Sequence, residues 1–435
     1  MRQYVFHLEY ILRYFWNMKK VFLILGIILF TTQAQAAYIL IPMDKEQNNH
    51  LKAYGIAFWA LTEGVEIDWL LNYRGGSFAV KSIKQIQDEC NIRGVSYELV
   101  PDAKYTNIIM TIADPEKNMD IAKLEKAPKI AVYSPKSKAP WDDAVTLALT
   151  YAEIPYDVIY DTEIMEDKLV LYDWLHLHHE DFTGQYGKFW NAYKSQSWYQ
   201  DQVRELEGIA AQYGFNKVSQ LKLAIGKRVQ GFVAGGGFMF AMCSATDSYD
   251  IALAAEGTDI CDHMYDGDAP SPNAQNELNY EHTLAFENFQ LRMSPYEYEY
   301  SNIDANFGRK VSKNLDYFTL FDFSAKWDPI PTMLTQNHTK TVKGFMGQTT
   351  AFKKDYIKSN VLILGENKAA NEAKYIHGTF GFGMWSWYGG HDPEDYQHFV
   401  GDPKTDLNLH PNSPGYRLIL NNVLFPAARK KERKT

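Results

Sequence analysis

Cysteine is scarce in this chain: three in 435 residues, Cys90, Cys243 and Cys261. An odd, widely spaced set makes neither a disulfide framework nor a zinc finger, and in an oxidising compartment it leaves at least one thiol free. Long apolar runs are missing as well. The run Val21–Phe30 falls short of the ~20 residues a bilayer-spanning helix needs. Basic charge is not in excess. The net charge of −9 gives no electrostatic footprint for nucleic acid, and none is expected as a partner. No GxGxxG follows a strand, and GxxxxGK[ST], GxSxG and HExxH are all absent. Dinucleotide, P-loop, serine α/β-hydrolase and zincin chemistries therefore lack their signatures. No cofactor is expected, and no metal.

What is present is an ordinary globular composition. Hydrophobic residues at 46% and charged residues at 22% rule out disorder and low-complexity architectures. At the N-terminus Met18-Lys19-Lys20, the apolar run and an Ala34-Gln35-Ala36 ending form a secretory signal, with cleavage expected after Ala36. Residues 1–17 precede a complete signal, so Met18 is the expected true start. The mature protein is expected to be periplasmic or secreted, with no stable membrane anchor.

The mature chain alternates strand-like and helix-like segments, which indicates an α/β fold. Residues 37–127 read as a small N-terminal α/β segment whose β-α-β-α-β order predicts a parallel sheet. A second series starts at Lys129–Ser134 and continues through strands at Tyr156–Tyr160, Leu169–His178, Phe238–Cys243 and Val361–Leu364 to a terminal helix at Tyr416–Phe425. Residues of about 265–340 are less regular and read as a divergent insertion.

Three clusters carry candidate chemistry. Cys243 ends an apolar strand and precedes Ser244-Ala245-Thr246-Asp247, a helix start. That junction aims a thiol into the crevice above the strand ends, where α/β folds bind ligands. A helix N-terminus lowers a thiol pKa and supplies oxyanion donors. Gly236, Gly237 and Ser244 are the candidate backbone donors. The alternative is a buried Cys on a core strand. His391 lies on a tight loop between Gly389-Gly390 and Pro393, with Asp392 and Glu394 placed to orient its ring. A thiol nucleophile needs such a base and such an acid. The run His176-Leu177-His178-His179-Glu180 puts His176 and His178 on one strand face, a possible metal pair with His391. His263 and His398 are possible additions. The plainer reading of that run is a polar strand end. His178, His179, Glu180, Trp387 and Tyr388 are expected to line the cleft.

Gly235–Ser248 resembles the glycine-rich strand and elbow of the class I glutamine-amidotransferase-like superfamily, nearest its trehalose-utilisation (ThuA-like) branch. Gly383–Glu394, with a last helix containing Leu420-Asn421-Asn422, is similar to the closing strand, His loop and helix of that superfamily. The resemblance covers roughly residues 128–435. It implies a flavodoxin-like parallel sheet flanked by helices, Cys243 as nucleophile, His391 as base, and Glu394 as third member with Asp392 as rival. Ser244-Ala245 stands where the family usually has Gly, and His-Asp-Pro-Glu is one residue longer than its His-Pro-Glu. Taken whole, the chain also resembles exported proteins labelled asparagine synthetase B. Yet it has neither an N-terminal nucleophilic Cys nor an SGGxDS-type ATP loop. The leading expectation is a Cys-dependent amidase or hydrolase of a small molecule. The alternative is a non-catalytic carbohydrate-binding protein that uses Trp385, Trp387 and Tyr388 for stacking.

Overall fold

A computed structural model describes residues 37–135 and 142–429. The segment read as a signal and the residues from Lys430 onward lie outside the described residues. Two sheets organise the rest. The N-terminal sheet has strands β1 (Tyr38–Ile41), β2 (Ile67–Leu71), β3 (Ser77–Lys81), β4 (Glu98–Val100) and β5 (Asp120–Leu124), in the order β4-β1-β3-β2-β5. All its pairings are antiparallel, which corrects the parallel expectation for this segment. The cause is local. Asn72, Arg74, Gly75 and Gly76 all take positive φ, and this tight turn sends β3 straight back along β2. A strand returned by a short turn can only pair antiparallel.

The large sheet is mixed. Its parallel half consists of β6 (Ile130–Tyr133), β7 (Asp157–Ile159), β8 (Trp174–Leu177), β9 (Phe238–Met242) and, after the intervening edge strands, β15 (Gly383–Tyr388). Numbered by appearance in the chain, these five lie side by side in the order second, first, third, fourth, fifth. Strands β10 (Tyr317–Leu320), β11 (Thr341–Lys343), β12 (Phe352–Lys353), β13 (Leu362–Asn367) and β14 (Glu372–Phe380) extend the sheet antiparallel beyond β15. The region read as an insertion thus supplies β10, which lies second from the edge between β11 and β13.

One layer of helices serves both sheets. It contains α1 (His50–Thr62), α2 (Ala144–Ala152) and, at the chain end, α5 (Pro414–Leu424). Trp69 and Phe78 from the small sheet share a buried cluster with Val132, Trp174 and Phe240 from the large one, so residues 37–127 are welded onto the rest by a common core. The opposite face of the large sheet packs on α3 (Val218–Ala234) and α4 (Ser244–Ala254). Strand alternation decides which residue faces which layer. Trp174 faces the shared helices, while Leu175 and Leu177 face α3 and α4. No helix among the described residues is long and apolar enough to cross a membrane.

Candidate functional site

The chain turns between β6 and β8: from β6 it moves outward to β7, then returns to the other side. Ligand sites of open parallel sheets form at such a switch, outside the carboxyl ends of the strands. Here those ends deliver Asp142 and Asp143 after β6, His178 and His179 after β8, Cys243 after β9 and His391 after β15.

Cys243 is the most constrained of them. Met242 closes a buried strand and Ser244 opens α4, so a single residue makes the whole reversal. It does so at φ 52°, ψ −138°, a conformation that a side chain resists. Such strain collects at functional positions, and a sharp strand-to-helix turn of this kind holds out the nucleophile in elbow-type hydrolases. The side chain is buried. Burial pushes the thiol pKa up, opposed by the backbone N–H groups of Thr349, Gln348 and Ser244, which face the sulfur. The Ala245 N–H is used elsewhere, donating to His178 O at 2.9 Å and tying the elbow to the end of β8.

Thr349 and Gln348 belong to a strap, Phe345–Thr350, that lies over the thiol. The strap is pinned at several points. His391 N donates to Met346 O at 2.9 Å, and Gly390 N to Thr349 O at 2.7 Å. Asn306 Nδ2 reaches Gly347 O at 2.7 Å, and Lys374 Nζ reaches Thr350 O at 2.7 Å. Burial lowers the Lys374 amine to about 7, although Asp316 pulls the other way. Gly347 is obligatory here. A Cβ on it would sit 2.8 Å from His391 N and 3.0 Å from Cys243 Sγ, so thiol and His loop meet across this residue.

The His391 ring turns towards a second group. Its centroid lies 4.6 Å from His178, 5.8 Å from His179 and 4.7 Å from His398, which it stacks on. Burial and the His178 and His398 rings push its pKa well down, so it is neutral. His179 is driven the same way, by burial and then by His178 and His391. His398 is the exception. Its pairing with Asp142 (2.9 Å) outweighs the cost of burial, and Asp395 (2.8 Å) adds to it. Together they raise His398 to about 9 and keep it cationic. Asp143 holds the base of the group. It caps α2 through Val145 N and Thr146 N while its two oxygens meet His176 Nε2 at 3.1 Å and His178 Nδ1 at 3.2 Å. Burial alone would raise that carboxyl, but the two rings hold it well below the usual carboxylate range.

Several sequence expectations change. Cys243, Ser244, His178, His179 and His391 do gather at the strand ends. Among the described residues, no hydrogen bond joins Cys243 Sγ to the His391 ring. Gly236 and Gly237 lie at the opposite end of β9, a five-residue strand, hence ~17 Å away at ~3.3 Å per residue. They serve the tight turn from α3, where a Cβ on Gly237 would strike the Phe232 ring at 2.3 Å. Neither acid of the His loop touches His391. Asp392 takes the Tyr416 hydroxyl at 2.8 Å and the Glu394 amide at 2.8 Å, locking the loop, and Glu394 pairs with His410 at 3.2 Å. The carboxylate beside His391 is Asp142, whose oxygen lies within 4.8 Å of ligand atoms of both His391 and His398. Glu180 faces away, accepting from the Tyr160 hydroxyl at 3.3 Å in a buried network with Lys222 and Asp161. Trp385, Trp387 and Tyr388 are 2%, 0% and 0% exposed, so they are core and offer no face to a sugar. His263 is exposed and pairs with its neighbour Asp262 at 2.7 Å. Cys90 and Cys261 are free and buried.

The residues that sequence reasoning missed are Asp142, Asp143, Lys374 and the strap. Two consecutive acids just after the first parallel strand were the available signal for the first two. The strap carries no sequence signal of its own.

No family model matches the chain, and no curated protein matches it. Solved structures with a detectable likeness include two cytoplasmic proteins of Salmonella typhimurium, STM3548 and STM1381. They are 11% and 12% identical, cover 69% of this chain and 100% of their own, and give TM-scores of 0.34 and 0.33. A β-galactosidase from Bacillus circulans sp. alkalophilus is 13% identical over 61% of this chain and 29% of its own, at a TM-score of 0.25. Likenesses this remote carry no argument about activity.

Proposed function

We propose that this protein is an exported, thiol-dependent hydrolase of an amide or ester, built on a flavodoxin-like, glutamine-amidotransferase-like domain. The observation that carries the reading is the backbone of Cys243. A non-glycine residue held at φ 52°, ψ −138° on a strand-to-helix turn, with three amides converging on its sulfur, is strained backbone of the kind that collects at functional positions. The strand order, with Cys after the fourth parallel strand and His after the fifth, supports the superfamily resemblance.

In this reading Cys243 Sγ attacks the carbonyl carbon and the thiol proton passes to neutral His391, with Asp142 as the adjoining carboxylate. The N–H groups of Ser244, Gln348 and Thr349 hold the oxyanion. The leaving amine or alcohol takes the proton, and water then hydrolyses the thioester to acid and free thiol. The test is turnover of a panel of small amides and esters, glutamine included, by the mature protein and by Cys243→Ala. Turnover that persists in Cys243→Ala removes the reading. Export is tested separately: the secreted chain should begin at Ala37.

A further inference from the structure

We propose that His178, His179 and His391 form a site for a zinc-class divalent cation at the strand crest. One ring nitrogen from each lies within 4.8 Å of the others, the spacing of ligands around one ion. His178 Nε2 and His391 Nε2 are buried and have no hydrogen-bond partner. Their residues are 1% and 8% exposed, and a buried ring nitrogen left unanswered is costly. The other nitrogen of His178, Nδ1, lies 3.2 Å from Asp143 Oδ1, within ion-pair range but without hydrogen-bond alignment. A carboxylate behind the imidazole is the usual outer support of a metal-bound histidine: it orients the ring and leaves Nε2 to face the ion.

The three ligands come from the end of β8 and the loop after β15, the two strands that flank β9, so the fold itself converges them. All-nitrogen donors select zinc, cobalt, nickel or copper over magnesium and calcium, which take oxygen. Three histidine ligands leave a fourth position open, as catalytic rather than structural zinc sites do. Asp142 and Asp143 offset the added charge. A second group with ligand spacing, Asp259, Cys261 and Asp266, contrasts with this one. Lys217 Nζ already stands in it, 2.5 Å from Asp259 and 3.0 Å from Asp266, so a cation has no place there.

The site goes beyond the thiol reading and stands whether or not Cys243 is a nucleophile. Where both hold, an ion on His391 Nε2 withdraws that nitrogen from proton transfer, so the metal-loaded and metal-free proteins differ in thiol reactivity.

The experiment is titration of the metal-stripped mature protein with zinc chloride by calorimetry and with cobalt(II) chloride by visible absorption. One ion per chain is expected, with a tetrahedral cobalt spectrum and no response to magnesium. His391→Gln should abolish it. Asp143→Asn keeps a good helix cap and should weaken binding by ~10–100-fold. His263→Gln should leave it unchanged, and circular dichroism checks that each variant folds. No stoichiometric binding, or binding that His391→Gln and Asp143→Asn leave intact, overturns the proposal. Metal binding without any thiol-dependent turnover would overturn the enzyme reading alone.

Discussion

His50 and His391 are both buried histidines, both driven to the neutral form, and they are treated in opposite ways. His50 opens α1 in the shared helical layer. Its Nδ1 meets Asn412 at 2.8 Å and its Nε2 meets Met43 O at 3.1 Å, and its ring stacks on His338. It ties the N-terminal segment to the loop before α5. At the crest, His391 and His178 keep Nε2 atoms that nothing answers. A fold that satisfies one buried imidazole completely and leaves others open is retaining the open ones at a cost. Function is the ordinary reason for such a cost.

The comparison makes graded predictions. Largest is the effect on turnover. Cys243→Ser should lower hydrolysis by at least ~10³-fold, about 4 kcal/mol of barrier. Its melting temperature should stay within ~3 °C of the parent, since a buried hydroxyl replaces a buried thiol among the same amides. Next is His50→Ala, which removes two hydrogen bonds and strands their partners. Urea denaturation should show a loss of about 2–3 kcal/mol. A neutral result would mean that the satisfied histidine is no more structural than the open ones.

Third is pH. Burial, then the Arg417 charge, lowers His50 to about 4, and burial, then His50, lowers His338 to about 3. Below the ordinary value of 6.5 the unfolded chain takes up protons that the folded chain refuses, so this contribution is lost as pH falls from ~6.5 towards 4. Each ring that stays neutral costs about 2 kcal/mol at pH 5. Buried acids such as Asp247 and Glu180, both raised to about 7 mainly by burial, act in the opposite sense, so the informative quantity is a difference. The stability lost between pH 7 and pH 5 should be about 2 kcal/mol smaller in His50→Gln than in the parent. Equal losses would show that His50 protonates without strain. Smallest is His391→Gln at pH 7, expected within about 1 kcal/mol of the parent and on the side of gain, because an unanswered ring leaves the core. A loss as large as that of His50→Ala would erase the contrast.

Much of the site was legible because its key residues sit at changes of pattern. Cys243 stands where a buried strand meets a helix start, and His391 stands between Gly-Gly and Pro. Both lie where the pattern put them. The orienting acid was misread because Asp392 and Glu394 are near His391 in the chain, whereas their side chains serve Tyr416 and His410. Gly236 and Gly237 were misread for the same reason: sequence proximity to Cys243 spans a strand, and a strand is extended. The aromatic run Trp385–Tyr388 reads equally well as a binding face or a core strand, since alternation cannot tell one buried face from two. Antiparallel pairing of the N-terminal sheet depended on a turn whose positive-φ residues looked like ordinary loop.

By itself the sequence determined the α/β alternation, the elbow at Cys243 and the pairing of His176 and His178 on one strand face. These follow from local periods and local backbone chemistry. Only the tertiary structure decided which acid stands beside His391, that a strap presents Gln348 and Thr349 to the thiol, and that His179 and His391 meet. Such contacts depend on strand order in the sheet, and strand order is set by packing between segments that the chain keeps hundreds of residues apart.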